Sequence, residues 1–416
     1  MLKILHINTS DTEGGSARAV CRINKGLCDI GIDSRMLVQT KDGDDDSVIS
    51  AESKIDKFFG ITRRHIDQMP LSFYRHREKL PQNLQWLPYG QQKKIQKIAA
   101  DICHLHWICN GFVRIEELAR IKKPIVWTLH DMWALTGGCH IPGECERYTE
   151  SCGKCPQLGS LCNFDLSRWV WFRKNRAWKD LNLTVVAPSS WMAECARKSS
   201  IFQGKRIEVI NNGLDVDKFK PLSIDLARET FSLHQDKKII LFGAINADID
   251  RNKGLSYIVQ ALRHADRKML NNAELVIFGI SSSEETLNLG LPVKYIGRLY
   301  DDVSLSMLYS AADVMVVSSI QEAFGQTASE AMACGCPVVA FRTSGLVDIV
   351  DHEQNGYLAK PFDTIDLAKG ICWAMEDSQK RERLGRKARE KAVSKFEIRG
   401  IAAQYFGLYE NIMSDL

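Results

Sequence analysis

Short apolar runs recur along this chain, each followed by a longer stretch with helical spacing. A first series comprises Lys3–Asn8, Arg35–Gln39, Ile102–Leu105, Pro124–Leu129 and Leu183–Ala187. A second comprises Ile239–Gly243, Glu274–Gly279, Val293–Ile296, Val314–Val317 and Pro337–Phe341. Runs of this kind are buried on both faces, and their interleaving with helices predicts parallel sheets covered by helices on both sides. The fold class is therefore α/β, with doubly wound sheets. The series are separated by Ile210-Asn-Asn-Gly-Leu-Asp-Val-Asp-Lys-Phe-Lys-Pro221, which is rich in turn signals. We expect an N-terminal domain over 1–212 and a C-terminal domain over 213–395. The terminal segment 396–416, with Tyr405, Phe406 and Tyr409, is expected to cross back as a helix onto the first domain. Doubly wound sheets bind ligands beyond the carboxyl ends of their strands, so a pair of them predicts a ligand cleft between domains.

Bulk properties narrow the function classes. A length of 416 residues suits two or three domains. A hydrophobic share of 45% with 25% charged residues excludes disorder. A net charge of +4 is too small to imply a nucleic-acid partner. No apolar run reaches the ~18 residues needed to span a bilayer. Met1–Ile7 lacks the cleavage site and long apolar core of a signal peptide, and Leu2–Ile7 reads as a buried first strand instead. The 13 cysteines are an odd number without a signal, which predicts reduced thiols in a cytoplasmic protein.

The segment with most chemistry is Glu322-Ala-Phe-Gly-Gln-Thr-Ala-Ser-Glu330, followed by Ala331-Met-Ala-Cys-Gly-Cys-Pro-Val-Val-Ala340. The second part predicts a helix that ends at Gly335 and a Pro-led buried strand. Glu322 then lies in the loop before the helix, and Glu330 lies within its first turns. Gly325 lets a ligand approach the backbone, and the free N–H groups of the helix start can hold an anion. Two carboxylates beside a diphosphate site suit a nucleotide-sugar. Taken alone, the same spacing also describes a surface helix with two solvated acids.

Other motifs accompany this one in order: Val186-Ala-Pro-Ser-Ser-Trp191, Ile210–Asp215, Arg251-Asn-Lys-Gly254 and Ile296-Gly-Arg298. The first half adds Glu13-Gly-Gly-Ser16, His104-Leu-His-Trp107 and Thr128-Leu-His-Asp131. Together they resemble the family 4 glycosyltransferases, whose two Rossmann-like domains take the GT-B arrangement, and the resemblance covers nearly the whole chain. It implies a retaining enzyme of polysaccharide biosynthesis. Such an enzyme moves a hexosyl or N-acetylhexosaminyl group from a UDP- or GDP-linked donor to a glycan or lipid-linked glycan, without a catalytic metal. It implies that Glu322 contacts the transferred sugar, that His130 lies near the anomeric centre, and that Lys253 stabilises charge on the departing β-phosphate. Gly15 and Arg251 would serve the donor phosphates. Ile296, Arg298 and Leu299 would line the base pocket. Phe324, Gly325 and Gln326 would offer backbone N–H groups, and Glu330 would accept the ribose hydroxyls. His106 is an acceptor-side contact or a core residue, and Asp131 either orients His130 or caps a turn. A second cation that many members carry after the strand glycine is Ala244 here. The resemblance also implies same-face transfer with the leaving phosphate as base, and no strong nucleophile is placed here as retaining glycosidases place theirs. Competing readings are a nucleotide-sugar epimerase on the same architecture and an inactive donor-binding scaffold. Asp215-Val-Asp217 and Asp248-Ile-Asp250 resemble the metal motif of other transferases, but both are expected in loops.

Two further segments stand apart. Cys139-x5-Cys145-x6-Cys152-x2-Cys155 can enclose a structural zinc, with His140 as a substitute ligand; reduced thiols or two disulfides are the alternatives. Four thiolates leave no open position for catalysis. Ser167–Trp178 is basic and aromatic, with Trp171 and Trp178 seven apart on one helix face, and Arg63–Lys79 is similar. These predict peripheral contact with the inner face of a membrane, or else packed helices with snorkelling cations.

Overall fold

The computed structural model describes residues 2–50, 62–88, 90–243, 250–280 and 289–416. The chain divides into two compact units, one formed by Met1–Gly213 with Arg399–Leu416 and the other by Leu214–Ile398.

The first unit holds a seven-stranded sheet: β1 (Lys3–Ser10), β2 (Asp33–Thr40), β3 (Val48–Ser50), β4 (Ile102–Leu105), β5 (Ile125–Thr128), β6 (Leu183–Ala187) and β7 (Arg206–Val209). Its order is β3-β2-β1-β4-β5-β6-β7, with every pair parallel. The order reverses between β1 and β4, the place where such sheets open a ligand crevice. Strands β4, β5 and β6 are buried throughout, which explains their unbroken apolar runs. The edge strands β3 and β7 are absent from the sequence reading because they are three or four residues long and carry no such run.

The helix Ile398–Ser414 belongs to this unit. Ile401, Ala402, Tyr405, Leu408, Tyr409 and Ile412 form a stripe that packs on Ile4, Ile23, Ile102, Val126 and Val186. The returning element starts later than residue 396. Phe396 ends the preceding helix, Ser378–Phe396, and its ring meets Phe324 edge-on at 5.3 Å inside the second unit.

The second unit holds β8 (Lys238–Gly243), β9 (Ala273–Phe278), β10 (Val293–Gly297), β11 (Val314–Val317), β12 (Val338–Phe341) and β13 (Gly356–Ala359). The order is β10-β9-β8-β11-β12-β13, again wholly parallel. Along β11, Met315 and Val317 enter one core layer while Val314 and Val316 enter the other. That alternation between two apolar layers is why the strand reads as a continuous run.

The expected membrane face of Leu166–Trp178 is corrected. Trp178 is fully buried, and Trp171 Nε1 donates to Ser200 Oγ at 2.9 Å. Trp169 and Phe172 point outward instead, as do Leu161 and Phe164 in the preceding loop. Among the described residues no helix is long and apolar enough to cross a membrane.

Candidate active site

In the second unit, strand β11 ends in a loop that leads to the helix Gln326–Ala333. Glu322 lies in that loop. Lys253 lies on a 3-10 turn, Arg251–Lys253, and its Nζ donates to Glu322 Oε1 at 2.8 Å. Both side chains keep about a quarter of their surface open, 27% and 20%. Burial alone would lower the lysine's pKa; the Glu322 carboxylate outweighs it through charge and hydrogen bonding, and the pKa is raised.

The pair is fixed by the backbone around it. Asp250 caps the turn by accepting from Asn252 N–H at 3.0 Å. Asn252 then joins the two loops: Nδ2 donates to Gln321 O at 2.9 Å, Oδ1 accepts from Gln321 N–H at 3.1 Å, and its carbonyl accepts from Ile320 N–H at 2.8 Å. Gly254 follows at φ +72°, and a Cβ there would lie 1.9 Å from Ser318 O, so only glycine fits. Glu322 N–H donates to Ser344 Oγ at 2.9 Å, and its carbonyl accepts from Gly345 N–H at 2.9 Å.

Gly325, at φ +112°, precedes the helix, whose first turn follows the end of β11 by way of the Glu322 loop. Phe324 is buried and anchors the loop. Gln326 begins the helix. Glu330, expected to present both oxygens outward, is instead completely buried, with Tyr309 Oη donating to Oε2 at 3.0 Å. The helix turns this position into the core, eight residues beyond Glu322. Arg251 and Arg298 are exposed, and Ile296 and Leu299 are half-buried against the core. One acid of each D-x-D stretch serves a turn: Asp215 accepts from Asp217 N–H and Lys218 N–H, and Asp250 caps as above. Asp248 and Ala244 lie outside the described residues.

In the first unit, the helix Gly14–Asp29 follows β1, with Gly14 at φ +85° and Gly15 in its first turn. Asp11 does not face a ligand; its carboxylate accepts from Asp42 N–H at 3.0 Å and Gly43 N–H at 2.9 Å.

A buried histidine chain crosses the switch point of this sheet. His6 of β1 sits beside His104 of β4 in register. His6 Nδ1 lies 2.9 Å from His106 Nε2, and His106 Nδ1 lies 3.0 Å from His130 Nε2. His104 makes a separate set, with Nδ1 2.7 Å from Tyr409 Oη and Nε2 2.8 Å from Thr128 Oγ1. Burial lowers the pKa of His6 to about 3 and of His130 to about 4, and pushes His104 and His106 well below the usual range. All four are neutral near pH 7.

A neutral ring has one N–H, so the chain must run in one direction. His6 Nε2 is buried with no partner. An orphaned buried N–H is rarer than an orphaned acceptor, so His6 carries its proton on Nδ1. His106 then donates from Nδ1, and His130 keeps its own proton on Nδ1. The ligand-bearing atoms of His6, His104 and His106 lie within 4.8 Å of one another, but both nitrogens of His104 and of His106 are already bonded, which disfavours a metal. His106 is thereby a buried link in this chain rather than a surface contact.

Asp131 does not hold His130. Oδ1 accepts from Trp133 N–H at 2.7 Å, and Oδ2 accepts from Trp107 Nε1 and meets His140 Nδ1, both at 2.7 Å. His140 Nε2 is 2.7 Å from Asn83 Oδ1, so His140 is engaged elsewhere and does not replace a cysteine. Cys139, Cys145, Cys152 and Cys155 line one cavity, and all 13 cysteines are free, which removes the disulfide alternative.

Sequence reasoning missed His6, Asn252 and Ser344. His6 had a signal: a polar residue in the middle of the apolar run Ile4-Leu5-His6-Ile7. Asn252 and Ser344 had none, because their work is done across loops far apart in sequence.

Residues 13–218 match the family described as Glycosyltransferase Family 4, and residues 224–391 match Glycosyl transferases group 1. An uncharacterized glycosyltransferase of Methanocaldococcus jannaschii is 31% identical over 340 residues, 75% of this chain and 83% of its own. The fold resembles sucrose-phosphate synthase from Thermosynechococcus elongatus, with TM-score 0.73, 22% identity and full coverage of both chains. It also resembles Anabaena HepE in complex with UDP and glucose, with TM-score 0.63, 20% identity, and 99% of this chain and 100% of that one covered. With its two Rossmann-like units and both family matches, the chain belongs to the family 4 glycosyltransferases of GT-B fold.

Proposed function

We propose that this glycosyltransferase moves a hexosyl or N-acetylhexosaminyl group, with retention, from a nucleoside diphosphate sugar to a glycan or lipid-linked glycan in polysaccharide assembly. The Lys253–Glu322 pair carries the reading, because its lysine is held charged and both groups stay partly open. UDP is the first donor to test, since HepE is solved with it, and GDP is the second.

As the bond from the anomeric carbon to the phosphate oxygen breaks, negative charge gathers on the departing diphosphate. The Lys253 ammonium stabilises it in a site of lowered dielectric, so no metal is needed for that step. Glu322 accepts hydroxyls of the transferred sugar. The acceptor oxygen bonds the same face of the anomeric carbon, and its proton passes to the leaving phosphate oxygen. Gly15, Arg251 and the amides of 324–326 serve the phosphates. Ile296, Arg298 and Leu299 serve the base. Glu330 serves the ribose, a contact that would require its bond with Tyr309 to loosen. His130 presents its Nδ1–H to the sugar. We place the reaction in the cytoplasm. With a lipid-linked acceptor, the outward Leu161, Phe164, Trp169 and Phe172 would be the peripheral membrane contact.

The test is product formation with UDP- and GDP-sugars against glycan acceptors, free and lipid-linked in vesicles. Lys253→Ala and Glu322→Gln should each lower the rate by roughly 10²–10³. Equal rates in wild type and both variants would revive the scaffold reading, and sugar conversion without acceptor would favour the epimerase.

A further inference from the structure

We propose that Cys139, Cys145, Cys152 and Cys155 form a structural tetrathiolate site for one zinc ion, in the loop between β5 and the helix Leu166–Trp178. Their four side chains line a single cavity together with Thr136, Gly137 and Ser167. The regular structure around them is three 3-10 turns, Trp133–Leu135, Arg147–Thr149 and Pro156–Leu158, and one isolated bridge from Cys139 to Gln82. Such a segment has little repetitive hydrogen bonding of its own, yet Tyr148, Cys155, Gln157 and Leu158 are buried in it.

The backbone at Cys152-Gly-Lys-Cys155 has the form that a metal knuckle needs. Cys152, Gly153 and Lys154 have φ of +48°, +95° and +43°. Two non-glycine residues in this region in one turn are costly and call for a compensating interaction. The turn brings both flanking thiols to one cavity wall. Gly137 N–H donates to Cys152 Sγ at 3.1 Å, the hydrogen bond that stabilises a thiolate ligand. Gly153 N–H donates to Ser167 Oγ at 2.9 Å, and Cys155 N–H to Asp165 Oδ2 at 2.8 Å, so the helix N-terminus holds the knuckle from below.

The buried Lys174 closes one side of the site: its Nζ donates to Thr136 O at 3.0 Å and to Trp133 O, which fixes the strand of chain that leads into Cys139. Binding draws the four sulfurs from the cavity wall onto one centre at about 2.3 Å each and releases the protons of the thiols. A closed tetrahedral shell leaves no position for substrate, so the ion holds the loop that carries Trp133 and His140, the partners of Asp131.

The measurement is elemental analysis of the whole protein, purified under reducing conditions without chelator. The expected result is about one zinc per chain. Cys152→Ser and Cys155→Ser should lose it, while Cys162→Ser, an exposed cysteine outside the cavity lining, should keep it. Because the first two variants can fail to fold, wild-type protein is also treated with a thiol-binding mercurial, which should release zinc in step with modification of four thiols. No metal in wild type, iron with sulfide absorption in place of zinc, or release unconnected to thiol modification would overturn the proposal.

Discussion

His6 shows how one residue inside a sheet can set the protonation of a histidine beyond the strand end. It lies two rings away from His130, yet its orphaned Nε2 fixes the direction of every proton between them. The same burial has a thermodynamic consequence. His6, His104, His106 and His130 have folded-state pKa values below that of the unfolded chain. Below pH ~6.5 the unfolded chain takes up protons that the folded chain refuses, so stability is fully present above that pH and falls as pH falls. The free energy of unfolding should drop by roughly 1.4 kcal/mol per pH unit for each such histidine between about pH 6 and 5. Denaturant titrations of wild type and His6→Asn across that range should show the smaller slope in the variant. Identical slopes would mean that His6 is charged in the folded protein.

The elements differ in how far they could be read from sequence. Strands such as β4 and β11 were legible because both faces are buried, which leaves an apolar run that nothing else explains. Strand β13 was not, because Gly356-Tyr-Leu-Ala, equal in length to β4 and β11, opens on glycine and has no β-branched residue to set it apart from the turns beside it. Gly325 and Glu322 could be placed relative to their helix from spacing alone, whereas the burial of Glu330 could not. It depends on Tyr309 from another helix. The loop-to-loop join through Asn252 was illegible for the same reason: its partners lie 69 residues away. The final helix was expected from its tyrosines, and its energetic weight follows from the stripe it buries. Ile401 is about 1% exposed within that stripe. Ile401→Ala should cost about 2–5 kcal/mol by leaving a cavity against β1 and β4. A loss under about 1 kcal/mol in equilibrium unfolding would show that the helix is loosely held.

At the scale of the whole molecule, two doubly wound units each bring a small number of polar groups to the ends of apolar strands. In the proposed reaction the second unit's ammonium–carboxylate pair, Lys253 with Glu322, serves a nucleoside diphosphate without metal. The most direct measurement is therefore the thermal midpoint of wild type and Lys253→Ala with UDP, GDP and their sugar conjugates, in buffer containing a few equivalents of EDTA over adventitious metal. A ligand that binds only the folded state raises the midpoint by mass action, by about 2.7 kcal/mol of stability at a hundred times its Kd. The account predicts a clear rise with one nucleotide series in wild type, sharply reduced in Lys253→Ala. No rise with any of them, or a rise that is unchanged in the variant, would contradict it.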